Sequence, residues 1–361
     1  MSAVQVPSTA RTVVVSQPFK GDSFDNLVVE DRPLSGPNGT EVVIRVKAIS
    51  LNARDCQIAS GNYPALANLP RGLVAGSDAA GDVFAVGEGV TRFKVGDRVS
   101  PIFSQSFIAG DYHDQQATAL GGGIDGCLAE YFKCDQEGLV AIPEHLTYAQ
   151  ACTSTITGVT SWHCLYGHPG STLQAGETVL VLGTGGVSIY AAQIALAAGA
   201  KVICTSSSDE KLERVRKEVS ESIETINYSK IEKWDEEVKK LTSGRGVDHV
   251  IEIGGAATLP KSIRSCRRGG NVWVVGYLSM FQNQQKKDEM VNLAVEILIS
   301  QVGVKGVIVG SRAHYEALNR CVEINKIVPV VDQVFPFSQV KEAYRAANKG
   351  AFGKVVIDLT Q

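Results

Sequence analysis

The 361-residue sequence predicts a two-domain α/β protein, a β-rich domain beside a doubly wound parallel sheet. Three observations carry this. The length exceeds that of one typical domain. The first half is rich in short β-type runs broken by glycine turns, whereas from residue 178 strand-like runs alternate with helical ones. The stretch TVLVLGTGGVSIYAAQIALAAGA (178–200) reads as strand, tight glycine turn and helix.

In the first half, EVVIRVKAI (41–49), AAGDVFAVG (79–87), GDRVSPI (96–102) and GCLAEYFKC (126–134) alternate with the period of half-buried strands. A helix opens near Thr147, after Pro143 and Glu144. Further on, strands are expected at 178–182, 201–206, 248–254, 272–277 and 305–310, and helices at 186–198, 209–219, 232–242 and 288–300. The closing PFSQVKEAYRAANKG and GKVVIDL read as a helix and then a strand that return to the first domain.

Bulk composition narrows the class. Hydrophobic residues make up 44% and charged residues 20%, as in a globular protein with a substantial core. A net charge of −3 argues against a nucleic-acid or anionic-membrane partner. No apolar run approaches membrane-spanning length, and the N-terminus has no signal-like apolar stretch, so a cytoplasmic location is expected. The eight cysteines are scattered without a C-x-x-C pair, which favours reduced, mostly buried thiols.

The glycine turn is the strongest chemical signal. Gly183 permits the sharp turn, Gly185 lets backbone approach phosphate oxygens, and the helix start at Gly186 and Val187 offers free N–H groups and a positive dipole end. Ser188 stands where a third glycine often serves helix–strand packing. Val187, Ala191, Ile194 and Ala198 form the buried stripe. NAD sites place a carboxylate at the end of the second strand, and here that position is Ser206. Ser206 and Ser207 can donate to a 2′-phosphate, Lys211 can add positive charge and Tyr228 a phenol, which favours NADP(H). Asp209 and Glu210 count against this, although Asp209 suits the N-cap of the following helix. The same serines also suit a solvated loop.

The segments LNARDCQIASGNYP, VAGSDAAGDVFAVGEGVTRFKVGDRV, ITGVTSW, GRGVDHVIEIGG and FGKVVIDL, with the glycine turn, resemble the medium-chain dehydrogenase/reductase superfamily in its zinc-free branch. The resemblance covers nearly the whole chain after about residue 10, and it implies the following. Residues 1–159 and 313–361 form a GroES-like catalytic domain, residues 160–312 a Rossmann NADP-binding domain, and the active site lies in the cleft. Dimers form through the Rossmann edge strand KGVIVG (305–310), which would cover an exposed apolar edge. Zinc-dependent relatives hold metal at positions that here read Asn52, Ser77 and Thr153, so no metal is expected. Cys127, Cys134 and His113 are too few for a structural zinc lobe.

Without a Lewis acid, the chemistry that suits such a site is hydride addition to an activated small-molecule acceptor, a quinone or an α,β-unsaturated carbonyl or enoyl compound. Tyr63 matches the family's functional tyrosine and is the candidate acid, with packing on the Pro64 turn as its alternative role. Asn52 matches the active-site asparagine, able to bind a substrate carbonyl or the nicotinamide ribose, or to cap a helix through Arg54 and Asp55. Thr160 matches a threonine that lines the nicotinamide pocket in relatives, Gly254 and Gly255, then Gly276 and Tyr277, end parallel strands at the cofactor crevice, and Lys354 returns to the nicotinamide side. A zinc-free carbonyl or alcohol oxidoreductase, or a non-catalytic NADPH-binding protein, remain alternatives. The rim loops 64–72, 103–124 and 278–288 would set acceptor choice.

Overall fold

A computed structural model describes residues 5–17, 21–64, 72–111, 114, 116–277 and 292–361. His113, most of the 64–72 rim loop and the 278–288 loop lie outside the described residues. The chain divides into two compact units, Met1–Val159 with Gly310–Gln361, and Thr160–Val309. On its return the first unit resumes at Gly310, where a Cβ would sit 2.9 Å from Val159 Cγ1.

The first unit opens with β1 (Thr9–Val15), β2 (Leu27–Pro33), β3 (Glu41–Leu51), α1 (Ala53–Ala59) and β4 (Leu73–Val74). It continues through β5 (Asp78–Val86), β6 (Arg98–Pro101), β7 (Tyr131–Asp135), β8 (Leu139–Ala141), the short α2 (Tyr148–Ala151) and the first turn of α3 (Thr157–Tyr166), whose remainder belongs to the second unit. The run at 126–134 is only partly a strand. Cys127 and Leu128 are both fully buried, and the N–H groups of Gly126, Cys127 and Leu128 donate to Val74, Gly76 and Ala75. The ladder on β3 therefore begins only at Tyr131.

The second unit runs β9 (Thr178–Leu182), α4 (Gly186–Ala197), β10 (Lys201–Ser206), α5 (Asp209–Glu218), β11 (Glu224–Asn227) and α6 (Trp234–Leu241). There follow β12 (Val247–Glu252), α7 (Leu259–Ser265), β13 (Cys266–Val274), α8 (Leu293–Ser300) and β14 (Gly303–Gly306). Its six strands form one parallel sheet in the order β11-β10-β9-β12-β13-β14. Every residue of the central β9 and β12 is buried, the pattern of strands covered on both faces. The edge strand is β14, at 303–306 instead of 305–310.

The chain then returns to the first unit with α9 (Arg312–Asn325), β15 (Val331–Pro336), α10 (Val340–Asn348) and β16 (Lys354–Asp358). β16 inserts between β15 and β3 in a seven-stranded sheet, pairing Val355 with Leu51. This unit packs one apolar core, drawn from residues as distant as Val13, Ile49, Leu128, Tyr344 and Ile357. All eight cysteines are free thiols. Among the described residues no helix is long and apolar enough to cross a membrane.

Candidate functional site

The turn from β9 into α4 is built for close backbone approach. Gly183 sits at φ +74°, a conformation that costs a side chain about 1–2 kcal/mol. Gly185, the N-cap of α4, has ordinary dihedrals, and a Cβ added there meets nothing within 4 Å. Neither backbone strain nor protein crowding accounts for that glycine; the space beside it does. No side chain caps the helix, so its first N–H groups keep the anion-binding character of an open N-terminus. The Ser188 hydroxyl donates to Leu182 O at 2.6 Å, tying helix to strand where a third glycine would only pack. Behind the turn, Ser161 Oγ of α3 donates to Val187 O at 2.9 Å, next to the buried Thr160.

Ser206, Ser207, Lys211 and Tyr228 come together at the ends of β10 and β11. Ser206 pairs with Asn227, and the Tyr228 N–H donates to Ser206 O. Ser206 is buried, and its Oγ accepts from the Ser208 N–H at 3.2 Å. The N-cap of α5 is Ser208, not Asp209: the Ser208 hydroxyl accepts from the Lys211 N–H, and Asp209 is already the first residue of the helix. Asp209 instead takes Asn227 Nδ2 at 2.7 Å and Lys230 Nζ at 2.6 Å, and these partners hold its carboxyl below the usual range. Asn227 and Lys230 are site neighbours that sequence reasoning missed, although NYSK runs directly through Tyr228.

At the ends of β12 and β13 the glycines have packing reasons of their own. A Cβ on Gly254 would lie 2.3 Å from Thr258 Oγ1, and one on Gly276 would lie 2.4 Å from Ile253 O. The loop between them hangs on Glu252, fully buried, which accepts from the Gly254 and Gly255 N–H groups at 2.7 and 2.9 Å and from the Thr258 and Ser262 hydroxyls. Sequence reasoning overlooked Glu252; its signal is a carboxylate inside the apolar stretch VIEIGG. Tyr277 lies three residues past the end of β13.

In the first unit, Asn52 precedes α1 and Tyr63 follows it. The Asn52 N–H donates to Asp55 Oδ2 at 2.8 Å, so Asp55 closes the helix start. Asp55 is buried, and that desolvation raises its carboxyl against the pull of Arg54. The Arg54 guanidinium stacks between the rings of Tyr63 and Phe103, 5.4 and 4.9 Å from their centroids, and Nη1 donates to Leu120 O. Tyr63 is thus held by a cation on its face. Lys354, at the start of β16, donates to Leu51 O at 2.7 Å and Asn52 Oδ1 at 2.6 Å and lies 3.4 Å from Asp78 Oδ2. Asp78 also accepts from the Ser50 and Ser77 hydroxyls. Thr153, also buried, donates from Oγ1 to Gln150 O. The structure therefore gathers Asn52, Asp55, Ser77, Asp78 and Lys354 into one cluster; the sequence pointed to Asn52, Asp55, Ser77 and Lys354 as separate groups and not to Asp78.

Known proteins share this architecture. Residues 38–144 match the alcohol dehydrogenase GroES-like domain family, and residues 186–323 the zinc-binding dehydrogenase family. A zinc-type alcohol dehydrogenase-like protein of Schizosaccharomyces pombe is 40% identical over 93% of this chain and 96% of its own length. Human quinone oxidoreductase is 29% identical over 89% and 90%. A solved NAD-dependent alcohol dehydrogenase superposes with a TM-score of 0.82 at 30% identity, covering 97% of this chain and 99% of that one.

Proposed function

Because this chain belongs to the medium-chain dehydrogenase/reductase superfamily, we propose that it is a zinc-independent, NADPH-dependent oxidoreductase that reduces an activated acceptor, a quinone or an α,β-unsaturated carbonyl or enoyl compound. The observation that carries the reading is the donor set around Asn52. The family implies zinc at the positions of Asn52, Ser77 and Thr153, and the groups there do not fit it. Asn52 Oδ1 faces an ammonium at 2.6 Å, and the Ser77 and Thr153 hydroxyls are engaged by Asp78 and Gln150. Zinc prefers thiolate and imidazole, and an ammonium on a ligand atom repels it. Without a metal to stabilise an alkoxide, an acceptor whose charge delocalises suits the site better.

NADPH, when bound, supplies the hydride. The Gly183–Val187 backbone and the α4 N-terminus take its pyrophosphate, and the open space at the Gly185 Cβ position supports this. Ser206, Ser207, Lys211 and Tyr228 take the 2′-phosphate, and Thr160, Gly254, Gly276 and Tyr277 line the nicotinamide. Tyr63 donates the proton to the reduced acceptor: the phenol O–H breaks, and the Arg54 cation on its face stabilises the phenolate left behind. The edge of β14, with Leu298 and Ile299 of α8 exposed at 74% and 65%, is the surface a second copy would cover.

Nicotinamide consumption with quinones, enones, enoyl thioesters and aldehydes tests the reading. Rapid turnover of aldehydes but not enones overturns it, and comparable kcat/KM with NADH refutes the phosphate pocket. Tyr63→Phe with unchanged kcat on enones removes the acid. A zinc-free carbonyl or alcohol oxidoreductase is the second reading, favoured by the alcohol dehydrogenase names among the relatives.

A further inference from the structure

We infer that Lys354 is a positioning residue: its ammonium fixes the Asn52 amide so that Nδ2, the donor end, is left to bind the acceptor's carbonyl oxygen as negative charge develops there. This rests on the proposed reduction of a carbonyl-activated acceptor, and it gives Lys354 a role other than contact with the nicotinamide.

The backbone dictates the meeting. β16 runs antiparallel to β3 with Val355 opposite Leu51, so continuing the register by one residue sets Lys354 opposite Asn52. Lys354 is only 4% exposed, and an ammonium has three N–H donors and no acceptor. Leu51 O, Asn52 Oδ1 and Asp78 Oδ2 supply three oxygens for those three hydrogens. None is left for a cofactor.

The same chemistry decides which way the Asn52 amide faces. Turned over, it would set its NH2 against an ammonium, donor against donor, so the cation selects Oδ1. Nδ2 then points away from Lys354. Its protein partners are at the long end of the hydrogen-bond range, Asp55 Oδ2 at 3.3 Å and Ser77 Oγ at 3.5 Å, against a usual value of about 2.9–3.0 Å. Such contacts yield readily to a better-placed oxygen. A charge-assisted bond at Oδ1 also polarises the amide, which strengthens the donor at its other end.

Exposure supplies the outlet. Ser50, Asp55, Ser77, Asp78 and Lys354 are all buried, whereas Asn52 is only partly so. A buried ion pair of Lys354 and Asp78 thus acts on the surroundings through a single neutral amide. As hydride adds to the acceptor's β-carbon, the C=C electron pair shifts toward the carbonyl. The oxygen gains the negative charge that Asn52 Nδ2 stabilises, until the α-carbon takes a proton and the C=O reforms.

The test is a double-substitution cycle on the full chain with NADPH and a simple enone. Asn52→Ala is expected to lower kcat by about 10²–10³-fold, the usual cost of one such donor. Lys354→Met is expected to lower kcat by a similar factor with an unchanged NADPH dissociation constant. Combining the two should cost little more than either alone, because both remove one device. Losses that multiply in the double variant overturn the inference, as does a Lys354→Met protein that loses NADPH affinity but keeps kcat at saturation. Asn52→Asp guards against misfolding of Lys354→Met: it keeps an acceptor for the ammonium and removes the donor. It should fold and lose kcat as Asn52→Ala does; wild-type kcat in Asn52→Asp overturns the inference. A wild-type protein that reduces neither enone nor quinone overturns the proposed function itself, and the donor role with it.

Discussion

The candidate sites of the two units are built in opposite ways. In the second, the β9–α4 turn offers backbone N–H groups and a helix dipole, with hydroxyls of Ser206 and Ser207 nearby and no formal charge on the turn itself. In the first, ionised groups are buried outright, and Lys354 and Asp78 sit at 4% and 0% exposure behind Asn52. A backbone cradle is specified by glycines a few residues apart and tolerates change around it. A buried ion pair is specified by residues far apart and tolerates little, since removing one partner strands the other.

The sharpest challenge to that contrast is Glu252, a buried carboxylate of the second unit that holds a loop by its backbone N–H groups. Glu252→Ala strands the Gly254 and Gly255 N–H groups and two hydroxyls, and should destabilise the protein by about 3 kcal/mol in urea unfolding. A loss within experimental error would show that the loop stands without its anchor. Next in size is Ser206→Glu. A carboxylate beside a 2′-phosphate should move the NADPH/NADH ratio of kcat/KM toward NADH by about a hundredfold, and an unmoved ratio places the phosphate elsewhere. Gly185→Ala, whose new methyl meets nothing in the protein, should leave Tm unchanged while weakening NADPH binding about tenfold by titration. Equal binding would mean that the open space is not the cradle.

The smallest effect concerns acid. Burial opposes ionisation of Asp248, but bonds from Arg245, Arg267 and the Thr178 N–H outweigh it and hold the carboxyl well below its usual range. Its folded pKa is thus depressed, so its stabilisation is fully present above the unfolded value of about 3.9 and is lost as pH falls toward the folded one. Tm of the wild type should therefore fall more steeply below about pH 4 than Tm of Asp248→Asn, which lacks that titration. Parallel curves would assign the acid response to other groups.

Legibility in the sequence follows the same division. The parallel sheet and the glycine turn were readable because periodicity and short spacing encode them, as β10 at Lys201–Ser206 illustrates. The strand expected at 126–134 failed in its first part because that backbone bonds to residues 74–76, a pairing that alternation cannot signal. Asp209 suits an N-cap by residue type, but so does Ser208, and residue type alone does not choose between neighbours; the helix begins at Asp209 and Ser208 caps it. The Asn52 cluster was the least readable, since its contacts join positions 52, 78 and 354, and only the register of β16 on β3 brings them together.

That register also orders events in time. Asn52 and Lys354 are 302 positions apart, and the whole of Thr160–Val309 is synthesised between them. The second unit is therefore synthesised in full while the first unit still lacks β15 and β16. Until β16 emerges, neither Asp78 nor Asn52 Oδ1 has the Lys354 ammonium beside it. The nascent chain acquires its cradle first and its buried ion pair only at the end.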